Sequence, residues 1–280
     1  MRSHFLIAPI PSETAKTARA ILGRNNLFLM VGDNWESLMA QVTSIETEND
    51  ETSQNWMYPT LAIGTLLQYK EKLSDRQAEE ASRLRVDWKY ALRLSKYYPG
   101  LSRGMLCNYR QGVYHDPASQ RDFQSILDRS IELGLFQECQ EAPVTAVTLL
   151  DEVCTQSRLE VVMLALRRTL EVLATNHLKW LRNIILPDWY TRYHLFNAAP
   201  DLPEDLAGQV ALTETIGADI LYLTDALARS QQPELEVLDE IKALNRVWLE
   251  QFEPDTEGGV QRLARCSFCG SQDVADHKGS

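Results

Sequence analysis

The chain has 280 residues, enough for one large domain or two ordinary ones, and its 44% hydrophobic and 24% charged content suits a packed globular protein. A net charge of −11 argues against indiscriminate nucleic-acid binding. No stretch approaches the roughly 20 apolar residues a membrane span needs, and the N-terminal run FLIAPI is broken by Pro9 and Pro11 and too short for a secretory leader, which predicts a cytoplasmic protein.

The chain opens with a short helix over residues 12–22, SETAKTARAIL, with Ser12 as its N-cap; the capping box is incomplete because position 15 is Ala. Residues 43–55 are polar, acidic and without apolar periodicity, so they predict a linker and a module boundary. A helix begins at Pro59 and carries Leu61, Ile63, Leu66 and Leu67. Ser74 caps the next, whose apolar face holds Ala78, Ala81 and Leu84 and whose polar face holds Arg76, Glu79, Glu80 and Arg83. The two form a helical hairpin compatible with a helix-turn-helix. A third helix, Val86 to Leu94, takes Asp87 as N-cap, with Trp88, Ala91 and Leu92 on one face and Lys89 and Arg93 on another. Ser102 caps a further helix, and residues 117–136 give an amphipathic one built on Phe123, Ile126, Leu127, Ile131 and Leu135.

Residues 143–150, PVTAVTLL, are apolar and β-branched and form the best strand candidate. A long helix-forming run starts at Ser157 and ends at Leu186. Residues 187–208 read as loop, two helices follow at 209–229 and 234–252, and the end from Glu253 reads as a flexible tail.

Charge is unevenly spread. Residues 56–136 hold twelve Lys and Arg against nine Asp and Glu, a net of +3, and the remainder is −14. A mildly basic block in an acidic chain points to a polyanion on one part of the surface. The cysteines Cys107, Cys139, Cys154, Cys266 and Cys269 are odd in number and scattered, which argues against a disulfide framework. Cys266 and Cys269 in CSFCG look like half a zinc knuckle; His277 offers a third ligand and no fourth is near, so no metal site is expected there. His4, His115, His177, His194 and His277 share no ligand spacing. Asp201, Glu204 and Asp205 read as a solvated acidic loop, and Trp180, Trp189, Tyr190 and Tyr193 as core beside the long helix.

Several stretches recur together in one family: PIPSETAKTARAIL, LLQYKEKLSDRQAEEASRLRVDWKYALRL, the Leu101 to Arg110 helix, ELGLF, SRLEVVMLALRRTLEVLA, LPDWYTRY, ETIGADILYLTDAL and LNRVWLEQF. In this order the chain resembles the N-terminal part of a bacterial insertion-sequence transposase of the RNase H-like DDE type, with an InsH-type helical N-terminal domain. The resemblance implies that the helical domain binds the transposon end. It also implies that a following RNase H-like domain holds two divalent ions on three carboxylates. The first of these lies on a strand reading like T-D-S-T. Counted back from Arg158-Leu159-Glu160, that position here is Thr145, and a hydroxyl cannot replace an anionic bridging ligand for two hard cations. Asp151 serves only if the register slips. The chain also ends at Ser280, ahead of the stretches in which the family carries its other carboxylates.

The sequence therefore predicts a mainly α protein: an arm and acidic linker over 1–55, a helical DNA-binding domain over 56–138, a helical region with at most one remnant RNase H-like strand, which pairs with another chain, lies against helices or converts to helix, over 139–252, and a flexible tail over 253–280. The partner expected is double-stranded DNA resembling transposon ends. The phosphate contacts assigned are Arg83, Arg85, Lys89, Arg93, Lys96, Arg103 and Arg110, with Asn108 and Gln111 reading base edges. No catalysis and no cofactor are expected. The unpaired remnant strand motivates a dimer, with itself or with a full-length relative. The rival readings are a protein-interaction module using the acidic C-terminal half and a remnant without a role.

Overall fold

Side-chain caps set the helix starts. In the computed structural model, which describes residues 8–42, 57–136, 144–193, 202–203, 205–230, 232–255 and 259–263, Ser74 accepts from the Gln77 amide while Gln77 reaches back to the Ser74 amide. This reciprocal pairing satisfies two orphan donors at once. Ser102 caps its helix in the expected way, accepting from the Met105 amide. The acidic segment 43–55, Cys139, Cys266, Cys269 and four of the histidine and acidic-loop positions (His4, His194, Asp201 and Glu204) lie outside the described residues, as does His277.

The chain divides into two compact units, Met1–Val153 and Cys154–Ser280. The first unit contains α1 (Ser12–Ile21), α2 (Leu27–Asp33), α3 (Trp35–Leu38), α4 (Tyr58–Glu71), α5 (Asp75–Leu84), α6 (Val86–Ala91), α7 (Arg103–His115), α8 (Pro117–Glu132) and the start of α9 (Ala146–Asn176). Its core is continuous from Trp35, Leu66 and Leu67 through Trp88, Leu106 and Phe123 to Leu149 and Val153. Trp88, which the helical spacing places on an apolar face with Ala91 and Leu92, is fully buried, and so is Tyr90. Trp88 Nε1 donates to Glu71 at 2.7 Å and Trp35 Nε1 to the Ala91 carbonyl at 2.7 Å, so both indoles meet acceptors inside the fold. Helix α6 packs against α1 and α2, and α7 against α4, α5 and α8. Cys107, buried on α7, is disulfide-bonded, whereas Cys154 is not in a disulfide.

The second unit holds the rest of α9, then α10 (Leu178–Ile184), α11 (Pro187–Arg192), α12 (Leu206–Arg229), α13 (Pro233–Glu236), α14 (Asp239–Gln251) and a two-stranded antiparallel sheet of β1 (Phe252–Pro254) and β2 (Val260–Arg262), with Phe252 opposite Arg262. Leu159, Leu166 and Leu173 of α9 share a core with Ile216, Ile220 and Leu223 of α12 and Leu244 of α14. Trp189 and Tyr193 are buried in it, while Tyr190, expected beside them, is exposed and Trp180 only partly covered.

The mainly α class holds, and several finer expectations change. Helix α6 starts after Arg85, and Asp87 lies inside its first turn accepting from the Trp88 amide. Ser12 begins α1, after Pro11. The long run after Ser157 breaks at His177, and the stretch read as loop contains α11. Part of the expected tail pairs as β1 and β2.

The largest correction concerns PVTAVTLL. From Ala146 onward it is the first turn of α9, not a strand. Thr145 accepts from the Thr148 amide and its carbonyl from the Leu149 amide, so Thr145 acts as a cap. Ala146, Leu149, Leu150 and Val153 are all buried, the spacing of one helical face. With no remnant strand here, the argument for a dimer through its edge falls away.

Candidate nucleic-acid interface

The nine residues assigned to DNA sit on α5, α6, α7 and their connections, and burial separates all but Gln111 into three groups. Lys89 is 3% exposed and Arg110 is 1% exposed. Lys89 Nζ donates to the Tyr98 carbonyl at 2.5 Å, and burial pushes its ammonium pKa below the ordinary lysine range. Arg110 donates to Asp75 at 2.6 Å and to Gln68 at 3.2 Å. Both charges face inward and hold elements together.

Arg85 and Arg93 are half-buried. Arg85 pairs with both oxygens of Glu71 at 2.9 Å and with Asp87 at 2.7 Å. Burial opposes its charge, but the hydrogen bonds to Asp87 and Glu71 outweigh that and raise its pKa. Arg93 lies over the Trp35 ring, 5.4 Å from its centroid, and donates to the carbonyls of Gly32 and Ala8. Its own backbone is left-handed, with φ of 53°. Burial lowers its pKa.

Arg83, Lys96, Arg103 and Asn108 are exposed. Arg83 lies in the last turn of α5. The connection from Ser95 to Ser102, which carries Lys96, passes over that same helix end: the Leu101 amide donates to Ser82 Oγ at 2.8 Å, and a Cβ on Gly100 would lie 3.0 Å from Arg83 Cα. Arg103 opens α7 and reaches Glu79 of α5 at 3.1 Å. The α5–α7 junction therefore presents Arg83 and Arg103 to solvent, with carboxylates interspersed. Glu13, which accepts from Ser95 Oγ at 3.0 Å, adds a further one beside Lys96.

Asn108 stands on the solvent face of α7 in a stripe with Gly104, Gly112 and His115. Around Gly112 nothing approaches within 4 Å of a would-be Cβ, and around Gly104 only Ser102 Oγ does, at 4.0 Å. A glycine inside a helix costs about 1 kcal/mol relative to Ala, and no packing here requires it. Gln111, the other residue assigned to base edges, is partly covered on the flank of this stripe.

Thr145 takes no part in an anionic cluster, and Asp151 accepts from Tyr114 Oη at 2.6 Å. Among the described residues, no group of three or more His, Cys, Asp or Glu side chains is placed to hold a metal ion. No described helix is long and apolar enough to cross a membrane. No family model, curated protein or solved structure matches the chain.

The sequence does not distinguish a lysine that meets phosphate from one that meets a carbonyl. For Lys89 a signal was nonetheless present: it follows Trp88 and precedes Tyr90 in a short helix whose neighbours on both sides are core. In such a helix few positions remain free to face water.

Proposed function

We propose that the first unit is a double-stranded DNA-binding module of the transposase type, recognising transposon-end-like DNA, and that the chain regulates rather than performs strand transfer. The observation that carries this reading is the solvent face of α7, where Asn108 lies between two glycines that packing does not require, together with the exposed Arg83 and Arg103 at the α5–α7 junction. A bare helix face allows close approach to a groove, an amide side chain can read an adenine edge, and flanking guanidinium groups suit phosphates. The ordered series of family-like stretches supports the same reading. The absence of a carboxylate at Thr145 supports a non-catalytic role.

The test is fluorescence anisotropy with random and transposon-end duplexes at two salt concentrations. Specific binding should weaken steeply as salt rises. R83E and R103E should each lower affinity by about tenfold and flatten the salt slope by about one, since each removes a phosphate contact. Charge reversal at Lys89 or Arg110 should unfold the unit instead, visible in circular dichroism. Absence of duplex binding at low salt would reject the proposal and direct attention to a protein partner.

A further inference from the structure

Tyr97 and Tyr98 are adjacent and face opposite ways. Tyr98 packs on the first core, with its hydroxyl 3.9 Å from Met57 sulfur. Tyr97 is 80% exposed. Its one ring contact among the described residues is Lys96, whose Nζ lies 4.9 Å from the ring centroid. Such a ring contributes nothing to the core and is open to a binding partner.

The backbone around Tyr97 is fixed at several points. Lys89, buried on α6, donates to the Tyr98 carbonyl, and the Tyr98 amide donates to the Ser95 carbonyl at 3.0 Å. Ser95 Oγ accepts from the Tyr97 amide at 3.3 Å and donates to Glu13. On the far side, Gly100 has φ of +100° and lies against Ser82 and Arg83, a close approach that a side chain would block. A buried ammonium is costly in an apolar setting, and this one serves as a strut beneath the turn. The ring is therefore presented by an anchored turn, so little conformational entropy is lost when it binds.

We propose that Tyr97 is a stacking platform for an unpaired base at a DNA end, with Lys96 beside the ring contacting the adjoining phosphate. This inference rests on the DNA-binding reading above and adds the kind of DNA: duplex carrying a single-stranded overhang or frayed terminus. Every base offers a π-face to an exposed aromatic, and a cation next to the ring suits the backbone that carries the base. Arg83, whose backbone touches the same turn at Gly100, and Arg103 extend the positive edge toward the duplex.

The full chain is titrated by anisotropy against two DNAs of one sequence, a blunt duplex and the same duplex with a three-nucleotide overhang. The parent should prefer the overhang. Y97A should lose about tenfold on the overhang duplex and stay within about twofold on the blunt one, and Y97W should restore the preference. Tyr97 is too exposed for these changes to disturb folding. Equal binding by Y97A and the parent on both DNAs, or an equal loss on both, would overturn the stacking role while leaving duplex binding in place. If the parent binds neither DNA at low salt, the DNA-binding reading fails and the stacking role with it, and Tyr97 becomes a candidate for a protein contact.

Discussion

Arg110 carries a full charge into the first core and meets Asp75, which opens α5, and Gln68 on α4. Three helices are thereby tied at one point. The Gln68 amide also donates to Asp75 at 2.7 Å, so the carboxylate keeps a partner if Arg110 is lost, and it lies at a helix N-terminus that favours negative charge. The guanidinium is the more deeply buried of the two, at 1% exposure against 15%. D75N should therefore destabilise more than R110M: about 4 kcal/mol against about 2, because the first removes the counter-ion of the more deeply buried charge. Urea unfolding measured by fluorescence gives both values, and a larger loss in R110M would contradict the asymmetry. Of the cations assigned to DNA from sequence, Lys89 and Arg110 are structural by position. Arg110 meets partners 35 and 42 residues away, which leave no mark on the local pattern, whereas Lys89 sits in a short helix whose apolar and aromatic neighbours were legible as core.

At the scale of elements, most helices of the first unit were legible because cap and periodicity agree. Ser74 and Ser102 start helices as expected, and the 117–136 reading matches Pro117–Glu132. Agreement failed at residues 143–150, where β-branched composition favoured a strand and four-residue apolar spacing favoured a helix. The spacing governs because Ala146, Leu149, Leu150 and Val153 all reach one core, which a strand alternating its faces could not achieve over the same residues. The Thr145 cap supplies the other half of the signal. T145A should cost about 1 kcal/mol by removing that cap, whereas T145D should be neutral or slightly stabilising, since a carboxylate both caps and answers the helix dipole. Thermal unfolding of the two variants checks this. Destabilisation by T145D as large as by T145A would argue that the hydroxyl does more than cap.

Among the described residues each unit has its own main core, with a smaller cluster of Ala18, Leu29 and Tyr90 in the first, and the two units' responses to alkali should differ in a readable way. In the second unit, Asp219 on α12 accepts from both Arg192 and Tyr193. Burial is the main cause that raises the Tyr193 pKa well above its ordinary value, and the neighbouring Asp219 adds to it. In the folded state the phenol stays protonated where the unfolded chain would ionise. The stabilisation is thus complete below about pH 10 and declines as pH rises beyond it. Y193F should cost about 1 kcal/mol at neutral pH through the lost hydrogen bond, and it should flatten the alkaline decline of α11 and α12. The first unit contains Tyr90, Tyr98 and Tyr109, whose pKa values burial also raises, and it should keep its own decline in the same variant. Lys89 acts in the opposite sense there: its lowered pKa means the unfolded chain binds the extra proton, so its contribution rises with pH up to about 10.5. Hydrogen exchange between pH 8 and pH 10.5, corrected for intrinsic rates, resolves the units by peptide. Along α9 the response should change after Val153, because residues up to that point share the first core and residues from Leu159 onward share the second. Uniform protection changes along all 31 residues of α9 in Y193F would show that the helix carries the effect across both cores as one cooperative body.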